Sequence, residues 1–348
     1  MFSFFKSDPK VVKINNQEIT VKPKETILNA ALRSGLNFPY SCKVGGCAAC
    51  KCELTKGKVK EFTDASYLLS AEELQAGYIL ACQSVPKSAD VVVEVDFSRA
   101  TNRQIRGKVI SQKKLTHDIT ALEISLSETP VYKAGQYATL TLDRWGDVSR
   151  AYSYASMPHE DQVNVNFFIR HVPDGKFSTL VNQQDLVGEG VVVDSPMGDF
   201  YLRDSTKPIL LIAGGSGLAP IMAVLEKALK DQCTRAVTVL FGARTQSDLY
   251  CTNEINEIAM QWEGSFKFEQ ILSDEPSASL WSGPRGYIGE YLQTFVKKDQ
   301  QAYLCGPPLM IDSCIEILEA SGINKNNIFA DRFTSVNSNI NSTSGQLI

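Results

Sequence analysis

Four cysteines constrain this chain more than any other feature. Cys42, Cys47 and Cys50 lie in one short stretch and Cys82 follows much later. The order C-x4-C-x2-C…C is a spacing that converges on a [2Fe–2S] cluster. The stretch reads Pro39-Tyr40-Ser41-Cys42-Lys43-Val44-Gly45-Gly46-Cys47-Ala48-Ala49-Cys50. Its glycines and alanines keep Cβ bulk away, so backbone N–H groups approach the sulfides and stabilise their negative charge. Cys82, within Ile79-Leu80-Ala81-Cys82-Gln83, ties that loop to a distant segment. Structural zinc is the competing use of such residues, and it usually takes two short cysteine pairs. Here only Cys47 and Cys50 make one, which favours the cluster and single-electron transfer. Cys52 reads as a bystander thiol. Cys233, Cys251, Cys305 and Cys314 show no disulfide framework.

A chain of 348 residues has room for two or three domains. Its net charge of −4 gives no nucleic-acid footprint. Cysteines without paired spacing suit a reducing cytoplasm, and a cytoplasmic location is expected. Met1–Lys6 is too short for the apolar region of a signal peptide. No run approaches the ~18 apolar residues of a membrane span. Phe2, Phe4 and Phe5 read as a frayed or core-packed terminus, with a membrane or partner contact as the alternative.

Three domains are expected, in order. Residues 1–98 open with Val11–Asn15 and Glu18–Lys22, which alternate about an Asn-Asn turn and predict a hairpin. Thr26–Ser34 places Ile27, Leu28, Ala31 and Leu32 on one helical face, with Gly35 as its stop. Val91–Val95 is a late apolar strand. Residues 99–205 hold short alternating segments (Gly107–Ser111, Ile119–Ile124, Tyr137–Leu142, Val163–Ile169) divided by turn residues, the pattern of an antiparallel β-barrel. Residues 206–333 begin with Ile209–Ala213, apolar throughout as a buried parallel strand is. Gly214-Gly215-Ser216-Gly217-Leu218-Ala219-Pro220 and a helical pattern follow. Val237–Phe241, Phe266–Ile271 and Gln301–Leu304 are further strands of an α/β doubly wound nucleotide-binding domain. The tail, residues 334–348, is rich in Ser and Asn and is expected to be disordered.

Taken together, Phe38–Cys50, Arg150–Ser156, Ala213–Pro220, Phe241–Tyr250, Leu304–Pro308 and Phe329–Phe333 make the chain resemble the ferredoxin–NAD(P) reductase superfamily with an N-terminal plant-type ferredoxin. Within it, the resemblance is to the reductase components of bacterial multicomponent oxygenases, such as those of xylene, toluene and naphthalene oxidation. It covers nearly all of residues 10–333 and implies a β-grasp fold for the first domain.

The resemblance implies the site residues. Arg150-Ala151-Tyr152-Ser153 matches a flavin motif: Arg150 for the pyrophosphate, Tyr152 against the ring, Ser153 toward N5. Gly175-Lys176-Phe177-Ser178 matches a second phosphate element at a helix start, which favours FAD over FMN. Gly214, Gly215, Ser216 and Gly217 correspond to the dinucleotide loop, with Pro220 where a third glycine would stand. Cys305, Gly306 and Pro307 would bring a thiol near the nicotinamide. Phe333 would cover a flavin face. Arg244 ends the second strand and Asp248 follows. An acid there would repel a 2′-phosphate and an arginine would tolerate one, and the resemblance favours NADH.

The implied activity is electron transfer from NADH to FAD to [2Fe–2S] to a terminal oxygenase or hydroxylase, soluble or membrane-bound, or to its ferredoxin. Residues 1–98 carry 12 Lys and Arg against 11 Asp and Glu. A near-neutral ferredoxin suits tethering to its donor, which reduces the need for electrostatic steering. His117, His159 and His171 show no metal-ligand spacing and read as surface or barrel residues. Two rivals remain: a reductase with the same cofactors for deoxysugar dehydration, and a non-catalytic redox sensor on a degenerate scaffold.

Overall fold

The computed structural model describes residues 8–333 apart from 42, 44, 46, 47, 67, 98–102 and 146–147. The chain forms two compact units, one of Met1–Arg103 with Pro196–Gly198 and one of Gln104–Ser195 with Asp199–Ile348. The phenylalanines at 2, 4 and 5 and the tail from 334 lie outside the described residues.

The first unit begins with the expected hairpin, shifted by one residue: β1 (Lys10–Ile14) pairs antiparallel with β2 (Gln17–Val21). Asn15 takes φ 50°, a left-handed value that Asn tolerates in a two-residue turn. Next, α1 (Ile27–Arg33) is capped by Thr26, whose Oγ1 accepts from Asn29 N at 3.2 Å. Its buried face is Ile27, Leu28, Ala30 and Ala31. Then follow β3 (Lys51–Lys56), β4 (Val59–Glu61), α2 (Ala71–Gln75), β5 (Tyr78–Leu80), β6 (Ser84–Pro86) and β7 (Val91–Glu94). The main sheet runs β2-β1-β7-β3-β5, with β1 and β7 parallel. Val12, Ile14, Val21, Val91 and Val93 share their core with α1, which is the β-grasp arrangement.

The second unit holds both remaining sheets. Its first is β11-β10-β13-β8-β9-β12, formed by β8 (Arg103–Lys114), β9 (Ile119–Leu126), β10 (Tyr137–Leu142), β11 (Ser149–Ser153), β12 (Asn164–Arg170) and β13 (Gly190–Met197). A bridge between Tyr154 and Phe167 joins the two edges and closes the barrel. One helix, α3 (Lys176–Gln183), sends Phe177, Leu180 and Val181 into the barrel core.

The last sheet is β16-β15-β14-β17-β18, parallel throughout: β14 (Ile209–Gly214), β15 (Val237–Ala243), β16 (Phe266–Leu272), β17 (Gln301–Gly306) and β18 (Ile328–Arg332). Helices α4 (Leu218–Lys230), α5 (Thr252–Gln261), α6 (Ile288–Leu292) and α7 (Pro308–Ala320) connect them. Strand order reverses between β14 and β17, so ligands are expected outside the carboxyl ends of those two strands. Barrel and sheet share one core. Ile119 and Phe200 from the barrel side pack with Leu211, Val224 and Tyr303. The Phe200 and Tyr303 rings meet edge to face with centroids 6.0 Å apart.

Candidate functional site

The cluster site is described at two of its four thiols. Cys42 and Cys47 lie outside the described residues. Cys50 and Cys82 are both buried in the core of the first unit. Their segments are stitched together by Ala81 N donating to Cys50 O at 3.1 Å. Gln83 Nε2 donates to Cys82 Sγ at 3.6 Å and to Cys82 O at 3.1 Å. At Gly45 (φ 78°) a Cβ would stand 2.7 Å from Gln83 Cγ and 3.1 Å from Thr63 Oγ1, so the loop presses on both side chains. Thr63 Oγ1 is buried without a hydrogen-bond partner among the described residues. An orphaned donor beside thiolate segments fits a cluster that carries sulfide acceptors. Cys52, one strand pleat on, is in the core, and burial pushes its thiol far up, with Cys82 adding to the effect. That is the chemistry of a bystander.

On the barrel, Arg150 and Tyr152 alternate along β11 and therefore share a face. The Tyr152 ring lies against Phe177 of α3, centroids 5.3 Å apart, which brings the two sequence-predicted flavin elements together. Burial raises the Tyr152 hydroxyl well above its ordinary pKa, against the pull of Arg150. Arg150 Nη1 donates to its neighbour Ser149 O at 2.8 Å, and no carboxylate among the described residues pairs with it. Gly175 is the N-cap of α3 with no side-chain cap, and no acid stands in the first turn. A Cβ there would meet Ser178 Oγ at 2.6 Å and Val172 O at 2.9 Å. Ser178 Oγ instead closes the loop, accepting from Val172 N at 3.1 Å. Arg150, Lys176 and open helix N–H groups suit a diphosphate. Ser153 is buried at the end of β11.

The dinucleotide residues gather at the switch point. Gly214-Gly215-Ser216-Gly217 leaves β14, and Gly306-Pro307 leaves β17. A Cβ on Gly217 would fall inside the Cys305 carbonyl, and one on Gly214 would reach Met310 Sδ at 2.6 Å. Gly306 takes φ 147°, open to glycine alone. Phe333 N donates to Gly306 O at 2.9 Å, which brings the aromatic to the same edge. Cys305 is fully buried, and burial, with Asp331, raises its thiol well above the ordinary value. Pro220 is buried within the first turn of α4.

Residues 12–87 match the 2Fe-2S iron-sulfur cluster binding domain family, 106–201 the oxidoreductase FAD-binding domain and 211–316 the oxidoreductase NAD-binding domain. The chain is 37% identical over 313 residues to the xylene/toluene monooxygenase electron transfer component of Pseudomonas putida, covering 89% of each. The chain belongs to the oxygenase reductase components. Its likeness to the reductase component of phenol 2-monooxygenase from a Pseudomonas species is 32%, covering 92% of this chain and 93% of that one. The crystal structure of an Amycolatopsis cytochrome P450 reductase superposes with TM-score 0.74 at 29% identity, over 94% of this chain and 99% of that one. The reductase is thus an oxidoreductase whose three domains carry [2Fe–2S], FAD and NAD, and it transfers electrons for an oxygenase. No helix among the described residues is long and apolar enough to cross a membrane.

The sequence reading missed what joins the flavin barrel of the reductase to its dinucleotide loop. Tyr250 donates from its hydroxyl to Gly215 O at 2.9 Å, and Phe168 of β12 packs on its ring at 5.6 Å. Arg170, at the end of β12, would be 3.4 Å from a Cβ on Gly215. Arg170 Nε donates to Asp118 Oδ2 at 3.0 Å, and Arg244 Nη2 donates to the same oxygen at 2.9 Å. Burial works to raise the Asp118 carboxyl, but Arg170, Thr116 and Arg244 outweigh it and hold the carboxyl below its usual range. His117, Asp118 and Asp248 bring three donor atoms within 4.8 Å, but Arg170 and Arg244 hold the carboxylates in an ion-pair network. Tyr250 and Gly215, and Asp118 with Arg170 and Arg244, are remote in sequence, and no local motif announces their pairing.

Proposed function

We propose that this reductase oxidises NADH and delivers the electrons singly to a terminal oxygenase or hydroxylase acting on an aromatic or hydrocarbon substrate, directly or through that system's ferredoxin. Residues 1–98 would carry the cluster, 99–205 the FAD and 206–333 the NADH. Contact between the end of β12 and the glycine loop carries the reading, because it puts a flavin-side strand against a dinucleotide loop within one compact unit. The relatives named for xylene, toluene and phenol oxidation support the substrate class. The proposal puts the reductase in the cytoplasm, meeting its oxygenase in solution or at the inner membrane face.

When bound, FAD would accept one hydride, which carries both electrons of NADH, and the [2Fe–2S] cluster would pass them on singly. The chain binds and orients. Cys42, Cys47, Cys50 and Cys82 are the thiolate ligands. Arg150 and Lys176, with the N–H groups following Gly175, hold the FAD diphosphate. Tyr152 and Phe333 would pack against the flavin ring, and Ser153 would offer its hydroxyl to the reacting edge. Gly214, Gly215, Ser216 and Gly217 admit the dinucleotide phosphates, while Gly306 and Pro307 shape the nicotinamide pocket above Cys305. Arg244 and Asp248 stand at the adenosine end. Anaerobic titration of the purified protein with NADH tests the proposal. Flavin bleaching followed by a rhombic reduced [2Fe–2S] EPR signal is expected. A bound flavin that NADH leaves oxidised, or the absence of that signal, refutes it.

A further inference from the structure

The geometry at the adenosine end points to a specificity determinant outside the dinucleotide domain: we propose that Asp118, from the barrel, neutralises Arg244 and thereby excludes dinucleotides that carry a 2′-phosphate. The inference rests on the NADH site proposed above.

Arg244 directly follows β15, the strand beside β14 and its glycine loop. In a doubly wound sheet this is where an acid meets the ribose 2′-hydroxyl or an arginine accepts a 2′-phosphate. Arg244 alone therefore reads as a phosphate ligand. Its charge is already paired: Nη2 lies within hydrogen-bond reach of Asp118 Oδ2 at 2.9 Å, Asp248 Oδ1 at 3.1 Å and His117 Nε2 at 3.3 Å, three acceptors that share its two hydrogens. Both acids are anchored where they stand. Asp248 accepts from Thr245 N and Thr245 Oγ1, each at 3.0 Å. Asp118 accepts from Thr116 Oγ1 at 3.0 Å and from Arg170 Nε at 3.0 Å, and its own carbonyl accepts from His171 N at 2.6 Å.

The charges in this cluster cancel: Arg170 and Arg244 against Asp118 and Asp248, with His117 61% exposed at its rim. A 2′-phosphate brings a charge of roughly −1.5 to −2. Among the described residues of this cluster it would find no cation without a carboxylate partner, and two carboxylates of which the Asp118 side chain is only 14% and the Asp248 side chain only 11% exposed. Like-charge juxtaposition of this kind discriminates by repelling the wrong ligand. A ribose hydroxyl meets no such penalty and finds acceptors. Asp248 is local to the dinucleotide domain and can be read from sequence. Asp118 comes from the barrel, so coenzyme choice would depend on how the barrel turn is built.

The test uses the full-length, FAD- and cluster-loaded protein. Affinities for 2′,5′-ADP and 5′-ADP are measured by calorimetry in the parent, in Asp118→Asn and in the double variant Asp118→Asn/Arg244→Gln. Asp118→Asn should tighten 2′,5′-ADP relative to 5′-ADP by about tenfold, the worth of one charge-assisted contact. The double variant should lose that gain, because the freed cation is gone. Initial rates of flavin reduction by NADPH and NADH should shift in ratio the same way. An unchanged preference in an Asp118→Asn protein that still binds 5′-ADP overturns the proposal. Should that variant lose its FAD, Arg244→Gln in the parent decides. A neutralised arginine predicts an unchanged ratio of the two affinities, and selective loss of 2′,5′-ADP binding overturns the proposal. Failure of the site reading is separate: the parent flavin would stay oxidised with NADH whatever the ratio.

Discussion

At the residue scale, a glycine in the dinucleotide loop serves the fold before it serves a ligand. Gly217 reads from sequence as a close-approach position for phosphate. The nearest obstacle to a Cβ there is the Cys305 carbonyl at the end of the neighbouring parallel strand. Gly217→Ala should therefore destabilise the second unit by about 1–3 kcal/mol, the usual cost of forcing atoms into packed space, and lower its thermal midpoint even when no dinucleotide is present. A variant with parent stability but weakened NADH binding would return Gly217 to a ligand-only role. Gln83 illustrates the opposite case. The cysteine spacing marks Cys82, but nothing marks the residue after it as the one that donates to Cys82 Sγ. A donor on a cluster thiolate favours the more negative, reduced state. Gln83→Leu should lower the cluster midpoint potential in an EPR-monitored titration, and a potential that stays or rises would remove Gln83 from that role.

At the element scale, strands with strong apolar runs and helices with one apolar face were legible, because each is decided by residues within one window. β14 is apolar throughout and α1 buries Ile27, Leu28 and Ala31 on one face, and both stand where expected. The sequence reading assigned no strand at β18, whose five residues are only partly buried or exposed at the sheet edge and carry no alternation. Tertiary pairing with β17 makes it a strand. Contacts between elements were equally silent. Glu226, on α4, accepts from Met157 N at 2.9 Å, in the segment that follows β11. Burial raises this carboxyl above its ordinary value of 4.5, and the Met157 bond only partly offsets it. The sign follows. The folded state holds the proton more tightly than the unfolded chain, so stability falls as pH rises from the ordinary value through the raised one. Glu226→Gln keeps an acceptor for Met157 and removes the buried charge. It should raise the thermal midpoint at pH 8, and the gain should fade toward pH 4. A gain that is independent of pH would contradict this account.

At the scale of the whole molecule, the linear order of cluster, flavin and dinucleotide segments was legible because each has its own motif in its own stretch of chain. The Asp118–Arg244 pair was not, since it exists only once barrel and parallel sheet fold as one unit. That division of the chain into units bears on what a cluster defect should do. Cys82 belongs to the first unit, whereas Arg150, the α3 N-terminus and the glycine loop all lie in the second. Cys82→Ser removes a ligand and changes no residue of the second unit. NADH-driven reduction of ferricyanide, which can take electrons from flavin directly, should therefore keep most of its rate. Reduction of cytochrome c or of the oxygenase through the cluster should fall by at least about 100-fold, since a missing ligand abolishes the export centre rather than slowing it. The rhombic EPR signal should disappear with it. If both activities fell together while FAD stayed bound, electrons would leave the dinucleotide only through the cluster, and the order NADH to FAD to [2Fe–2S] would have to be abandoned.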